Sequence, residues 1–129
     1  MSSMAEINIR ELSIGDWVRH TFYEENLQIK RIDGESERLL VEKGLMSVSC
    51  HLDHFEPIPL TPEILEKNGW SKEYDDVWEC GVWRISQINK CLFVLYNKKY
   101  DYDFCAYIDT VHQLQHALRL AGVEKEIVL

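Results

Sequence analysis

The densest group of chemically capable side chains is Cys50-His51-Leu52-Asp53-His54. A thiolate, two imidazoles and a carboxylate are the donors that hold a zinc-like ion, and a cysteine near a histidine is the core of a nucleophilic dyad. Read as a strand, the segment puts His51 and Asp53 on one face and Cys50 and His54 on the other. Three donors then converge only if the chain bends. A dyad needs in addition an oxyanion site and a group to orient the base, and no sequence feature supplies either. The plainer reading is a strand end, with Cys50, His51 and His54 kept as a metal or enzymatic alternative. A second pair, His112 and His116, stands four residues apart on a helix, the spacing of two imidazoles on one metal. The zinc-protease pattern has Glu after the first His, where this chain has Gln113. The pair is expected on the polar face beside Arg119, exposed to solvent.

Aromatic side chains are the other signal. Trp70, Tyr74, Trp78 and Trp83 crowd one stretch, and Tyr100-Asp101-Tyr102-Asp103 lies in a polar loop. Stacked rings usually build cores, but Trp and Tyr also dominate protein-binding hot spots. Trp70, Tyr74, Trp78, Tyr100 and Tyr102 are therefore the candidate binding residues. Glycine-rich phosphate loops, serine nucleophile elbows and paired-carboxylate signatures are absent, so no catalytic residue and no cofactor is expected.

The chain has 129 residues and a formal net charge of −8. Its cationic clusters are pairs, such as Lys30-Arg31 and Lys98-Lys99. Non-specific nucleic-acid binding draws on phosphate counterion release by Lys and Arg, so that partner is disfavoured. Nothing approaches the ~20 consecutive apolar residues of a membrane span. The first residues lack the basic and apolar regions of a secretory leader. The four cysteines, Cys50, Cys80, Cys91 and Cys105, follow no CxxC pattern. The expectation is a cytoplasmic protein with reduced thiols and no membrane association. A bridge between Cys80 and Cys91 across a hairpin stays open.

The elements that must position these side chains divide into two halves. Strands are expected over 17–23, 27–32, 38–42 and 45–50, with Asp33-Gly34 as a hairpin turn. Short strands at this spacing predict a small bent barrel, and Leu12-Ser13-Ile14-Gly15-Asp16-Trp17-Val18 resembles the opening of an SH3-like barrel. Pro57 and Pro59 then hold Glu56 to Leu60 extended, as an edge strand or strap. A short helix follows, with Thr61 as N-cap, Pro62 at the first helical position, Leu60 and Leu65 as a hydrophobic staple and Gly69 at the stop. The second half predicts strands at 77–79, 82–88, 91–96 and 104–108. A helix over 111–121 carries Val111, Leu114, Ala117, Leu118 and Ala121 on one face, and the tail 123–129 is a possible last strand. The run Cys91 to Tyr96 is apolar on both faces. It therefore needs cover on both, from a helix on one side and from the first lobe or a second copy in a homodimer on the other. The fold class expected is α+β: an SH3-like β-barrel lobe at 1–60, then a helix, an antiparallel sheet and a C-terminal helix at 61–129. The strap and capped helix are expected to brace the two lobes.

Three segments carry a family resemblance: Leu12-x-Ile14-Gly15-Asp16-Trp17-Val18, Glu56 to Trp70, and Val111-His112-Gln113-Leu114-Gln115. On them the chain resembles a family of small proteins found in gut-bacterial and prophage-like genomes. That family has no established activity, so the resemblance implies a mobile-element setting and lends no catalytic residues. Acidity, surplus aromatics and missing catalytic signatures together favour a non-enzymatic protein-binding or adaptor protein. The alternatives are nucleic-acid-related binding or an acidic DNA mimic, and a metal-binding or enzymatic protein using Cys50 to His54.

Overall fold

In the computed structural model, residues 7–99 and 105–129 are described. Among the described residues the fold is α+β, with two five-stranded antiparallel sheets and two α-helices. The chain forms two compact units, Met1–Ile58 and Pro59–Leu129. The boundary falls inside the proline strap, two residues ahead of the boundary expected after Leu60.

The first unit is a meander. Strands β1 (Trp17–His20), β2 (Glu25–Asp33), β3 (Arg38–Lys43) and β4 (Met46–His51) pair in succession. A 3-10 turn at Leu52–His54 then leads to β5 (Phe55–Glu56), which pairs with β1 through Arg19–Glu56 and His20–Phe55. The strand order is β4-β3-β2-β1-β5. This sheet is open: β4 and β5 are its two edges and do not pair with each other. The register between β2 and β3 slips between Ile29 and Arg31, and such a bulge sharpens local twist. The apolar side chains Leu12, Val18, Leu27, Ile29, Leu39, Val41 and Phe55 form the unit's buried core. Asp33, the start of the hairpin turn, accepts the Glu35 and Ser36 amides at 3.1 and 3.2 Å, an Asx turn.

The second unit opens with α1 (Pro62–Lys67), capped as its sequence predicts. Thr61 Oγ1 accepts the Ile64 amide at 3.3 Å, and Leu60 and Leu65, the staple pair, are both buried. The helix closes on Asn68, with Gly69 at φ +89°. The sheet is β6 (Ser71–Tyr74), β7 (Val77–Cys80), β8 (Trp83–Asn89), β9 (Leu92–Asn97) and β10 (Cys105–Ile108), in the order β10-β9-β8-β7-β6. Helix α2 (Val111–Leu120) is started by Thr110, whose Oγ1 accepts the Gln113 amide at 3.3 Å. It lies against β10 and buries Val111, Leu114, Ala117 and Leu118.

Three expectations change. The strand β6 was not foreseen; all four of its residues are exposed, so no apolar alternation marks it. The tail after Gly122 is not a strand. It is held by Ile127, 3% exposed, and by the Asn68 side chain, which bonds both the N–H and the C=O of Val128. A Cys80–Cys91 bridge is ruled out: both thiols are free. Cys80 pairs with Trp83 at the β7–β8 turn, whereas Cys91 sits in the β8–β9 turn at the other end of β8.

Candidate functional site

The site begins with an anomaly in β1. Its buried positions are Val18 and His20, so an imidazole occupies a core-facing position of a four-residue strand. His20 is 3% exposed. Its ring stacks on Tyr23 at 4.1 Å between centroids and lies nearly parallel to His54 at 5.7 Å. Phe55 meets it edge-on at 5.1 Å. Its Nδ1 accepts the Tyr23 backbone N–H at 3.1 Å, so the neutral ring carries its proton on Nε2. Burial lowers the His20 pKa below its ordinary value of 6.5. The neighbouring His54 and Lys43 push the same way, against Glu25.

Around this stack lies a hollow of about 240 Å³. His20, Phe22 and Tyr23 contribute from β1 and the turn after it, Arg38 from the start of β3, Ser49, Cys50 and His51 from the end of β4, and His54 from the 3-10 turn. The turn that carries Phe22 reverses through Glu24 at φ 53°. Phe22 is 80% exposed and touches Tyr23 edge-on at 5.7 Å. Lys43 sits 4.8 Å from the Tyr23 ring centre and pairs with Glu25 at 2.8 Å. Arg38 is braced along β4: its Nε donates to Ser49 Oγ at 3.0 Å and its Nη2 to the Ser49 carbonyl at 2.7 Å.

The Cys50–His54 cluster therefore belongs to this hollow. The bend that convergence requires is the 3-10 turn, where the strand stops at His51. It brings Cys50, His51 and His54 to one concavity with His20. Even so, among the described residues no three His, Cys, Asp or Glu side chains are placed to hold a metal ion. His51 Nδ1 is engaged by the Asp53 amide at 3.1 Å, with Asp53 Oδ2 3.4 Å away. Cys50 packs against the apolar core of the first unit, as a small hydrophobe does.

The remaining sequence candidates lie in the second unit. Trp70 and Trp78 are each 2% exposed and are core residues; Trp78 donates its indole N–H to Glu66 Oε2 at 3.0 Å. Tyr74 is 66% exposed, with Arg84 over its ring at 6.0 Å. Tyr100 and Tyr102 lie outside the described residues. The five therefore do not form one described surface. His112 departs from its expected solvated position. It is 5% exposed and meets His116 edge-on at 5.8 Å, although helical spacing sets position 112 away from the stripe of Val111, Leu114 and Leu118. The acidic second unit also holds a charge cluster in which Glu79 accepts from Arg84 Nε at 3.0 Å, from Arg84 Nη2 and from Lys98. Those hydrogen bonds, Lys98 first, pull the Glu79 pKa down to about 2.

Sequence reasoning missed His20, Phe22 and Tyr23. One signal was present: a histidine on the buried side of an alternating strand, followed by two aromatics in a turn. Comparison with known proteins adds no assignment: no family model, curated protein or solved structure matches the chain. No described helix is long and apolar enough to cross a membrane.

Proposed function

We propose that the chain is a non-enzymatic protein-binding module, working in the cytoplasm of a bacterial host in a mobile-element setting. On this reading the first unit is a small SH3-like barrel that grips a segment of a partner protein at the His20–Tyr23–His54 hollow. The order of parts supports the barrel reading: four meandering strands, a 3-10 turn, and a short fifth strand returning to β1. One observation carries the binding reading. Phe22 is 80% exposed at the rim of a concavity floored by stacked rings. A large ring left out of the core beside a half-apolar hollow is the composition of a binding hot spot. His20 stands at the paired end of β1, and Tyr23 and His54 stack on it from two turns, so the rings are already assembled and little ordering is needed on binding.

The test compares capture of partners from native-host lysate by the wild-type chain, Phe22→Ser and Leu120→Ser. Leu120 is 84% exposed at the end of α2, in the other unit, and serves as the control. The expected result is a captured protein lost with Phe22→Ser and retained with Leu120→Ser. Equal capture by all three proteins refutes the hollow as the docking site.

A further inference from the structure

The lining of the hollow has a charge character opposite to that of the chain. The protein carries 22 Asp and Glu against 14 Lys and Arg, yet among the described residues the hollow is lined by an arginine, three histidines and no carboxylate. Glu25 is engaged with Lys43 at 2.8 Å and Glu56 with Arg19 at 3.4 Å, and the carboxylate set against the lining is that of Asp53, whose Oδ2 lies 3.4 Å from His51 Nδ1. The donors are also oriented in advance. Two of the five N–H groups of Arg38 are fixed on Ser49, which sets the plane of the guanidinium and leaves the remaining N–H groups for a ligand. The Tyr23 amide holds Nδ1 of His20 as an acceptor, and the Asp53 amide does the same for His51. Each neutral ring is thereby left with an Nε2–H donor.

We propose that the hollow reads a carboxylate: an Asp or Glu side chain of the partner segment, beside an apolar residue that packs on Phe22 and Tyr23. The proposal rests on the docking reading above and names the chemistry that the docking recognises. Guanidinium and carboxylate match as planar forks, and charge-assisted hydrogen bonds to such a pair are about twice as strong as neutral ones. A phosphorylated segment fits less well, because phospho-motif sites gather several arginines, and among the described residues Arg38 is the one guanidinium that lines the hollow. The volume of about 240 Å³ suits one side chain and its neighbour rather than a folded surface.

The full chain, labelled with nitrogen-15, is titrated with two capped dipeptide amides, acetyl-Glu-Phe-amide and acetyl-Gln-Phe-amide, and read by amide chemical shifts. The expected result is saturable shifts at His20, Phe22, Tyr23, Arg38, His51 and His54 with the Glu peptide. Binding of the Gln peptide is expected to be about tenfold weaker or more, the loss of one charge-assisted contact. Arg38→Gln should equalise the two peptides, and Arg38→Lys, which keeps charge but not the fork, should restore part of the preference. Equal shifts by both peptides at these residues overturn the carboxylate proposal while leaving the docking reading standing. Shifts by neither peptide also overturn it, and the lysate comparison with Phe22→Ser then decides the docking reading on its own.

Discussion

Asn68 ties the end of α1 to the C-terminal tail, and removing its amide should loosen the second unit measurably. The side chain is 8% exposed. Its Nδ2 donates to the Ile64 and Val128 carbonyls, both at 2.8 Å, and its Oδ1 accepts the Val128 amide at 2.7 Å. A neutral hydrogen bond contributes about 1 kcal/mol net, and more when its loss strands a buried partner. The Ile64 carbonyl keeps a second donor, the Asn68 backbone N–H at 3.2 Å. Val128 is 56% exposed, so water can reach its backbone. The full value of three bonds is therefore not lost, and Asn68→Ala is expected to cost about 2 kcal/mol. For a unit of this size that corresponds to a fall in Tm of about 10 °C. Three of the four tryptophans, Trp70, Trp78 and Trp83, report on this unit by fluorescence. Hydrogen exchange at the Val128 amide reads the latch directly and should accelerate to nearly the free-chain rate. Asn68→Asp sharpens the test: the carboxylate still accepts from Val128 but faces two carbonyl oxygens without a donor. It should destabilise at least as much at neutral pH and recover in part on acidification. A Tm change below about 2 °C with the Val128 amide still protected refutes the latch.

Three further perturbations follow from the same geometry. The folded state binds a proton at His20 more weakly than the unfolded chain does. The stability contributed by the neutral ring is therefore complete above pH 6.5 and declines as pH falls through 6.5 toward the lowered folded value. Urea unfolding of the first unit, followed at Trp17, should show this slope in the wild type and lose it in His20→Gln. Glu79 has the acid's sign: with a folded pKa of about 2 against an ordinary 4.5, its contribution is complete above 4.5 and is lost as pH falls toward 2. Glu79→Gln should flatten the acid-unfolding curve of the second unit over that window, and an unchanged curve refutes the assignment. Thr110→Ala, which removes the α2 cap, should cost about 1 kcal/mol, and Thr110→Ser should restore most of it in a thermal melt.

What the sequence made legible was local. Thr61, Pro62 and Gly69 mark α1 because caps and fixed backbone angles act within a turn of where they stand. Thr110 and the stripe from Val111 to Leu118 mark α2 in the same way. The strands of the first half appear within a few residues of their expected limits, since turn residues punctuate them. Strand β6 escaped because Ser71–Tyr74 is held by its pairing with β7 rather than by a buried face. The hollow escaped for another reason. His20 and His54 are 34 residues apart in the chain, and they stack because a two-residue strand, β5, pairs beside His20. Cys50 to His54 stand out as a group of donors, but their partner His20 reads as one more strand residue until β5 pairs beside it. The burial of Trp70 and Trp78 was equally illegible, because their type suits a core and a binding surface alike.

The strap of the second unit bears on the order of folding. Pro59 bridges Thr110, and the Leu60 amide donates to the Asp109 carbonyl at 3.0 Å. This pairing joins the two ends of a segment that contains α1 and the whole second sheet. The hairpins from β6 to β9 close short loops, whereas the strap must close one of 49 residues, and loop-closure entropy makes such a contact form late. The strap is then absent from the folding transition state and acts as the clasp on the finished unit. Leu60→Ala should accordingly speed unfolding while leaving the refolding rate nearly unchanged. A refolding arm slowed in proportion to the lost stability would show instead that the unit folds around its strap.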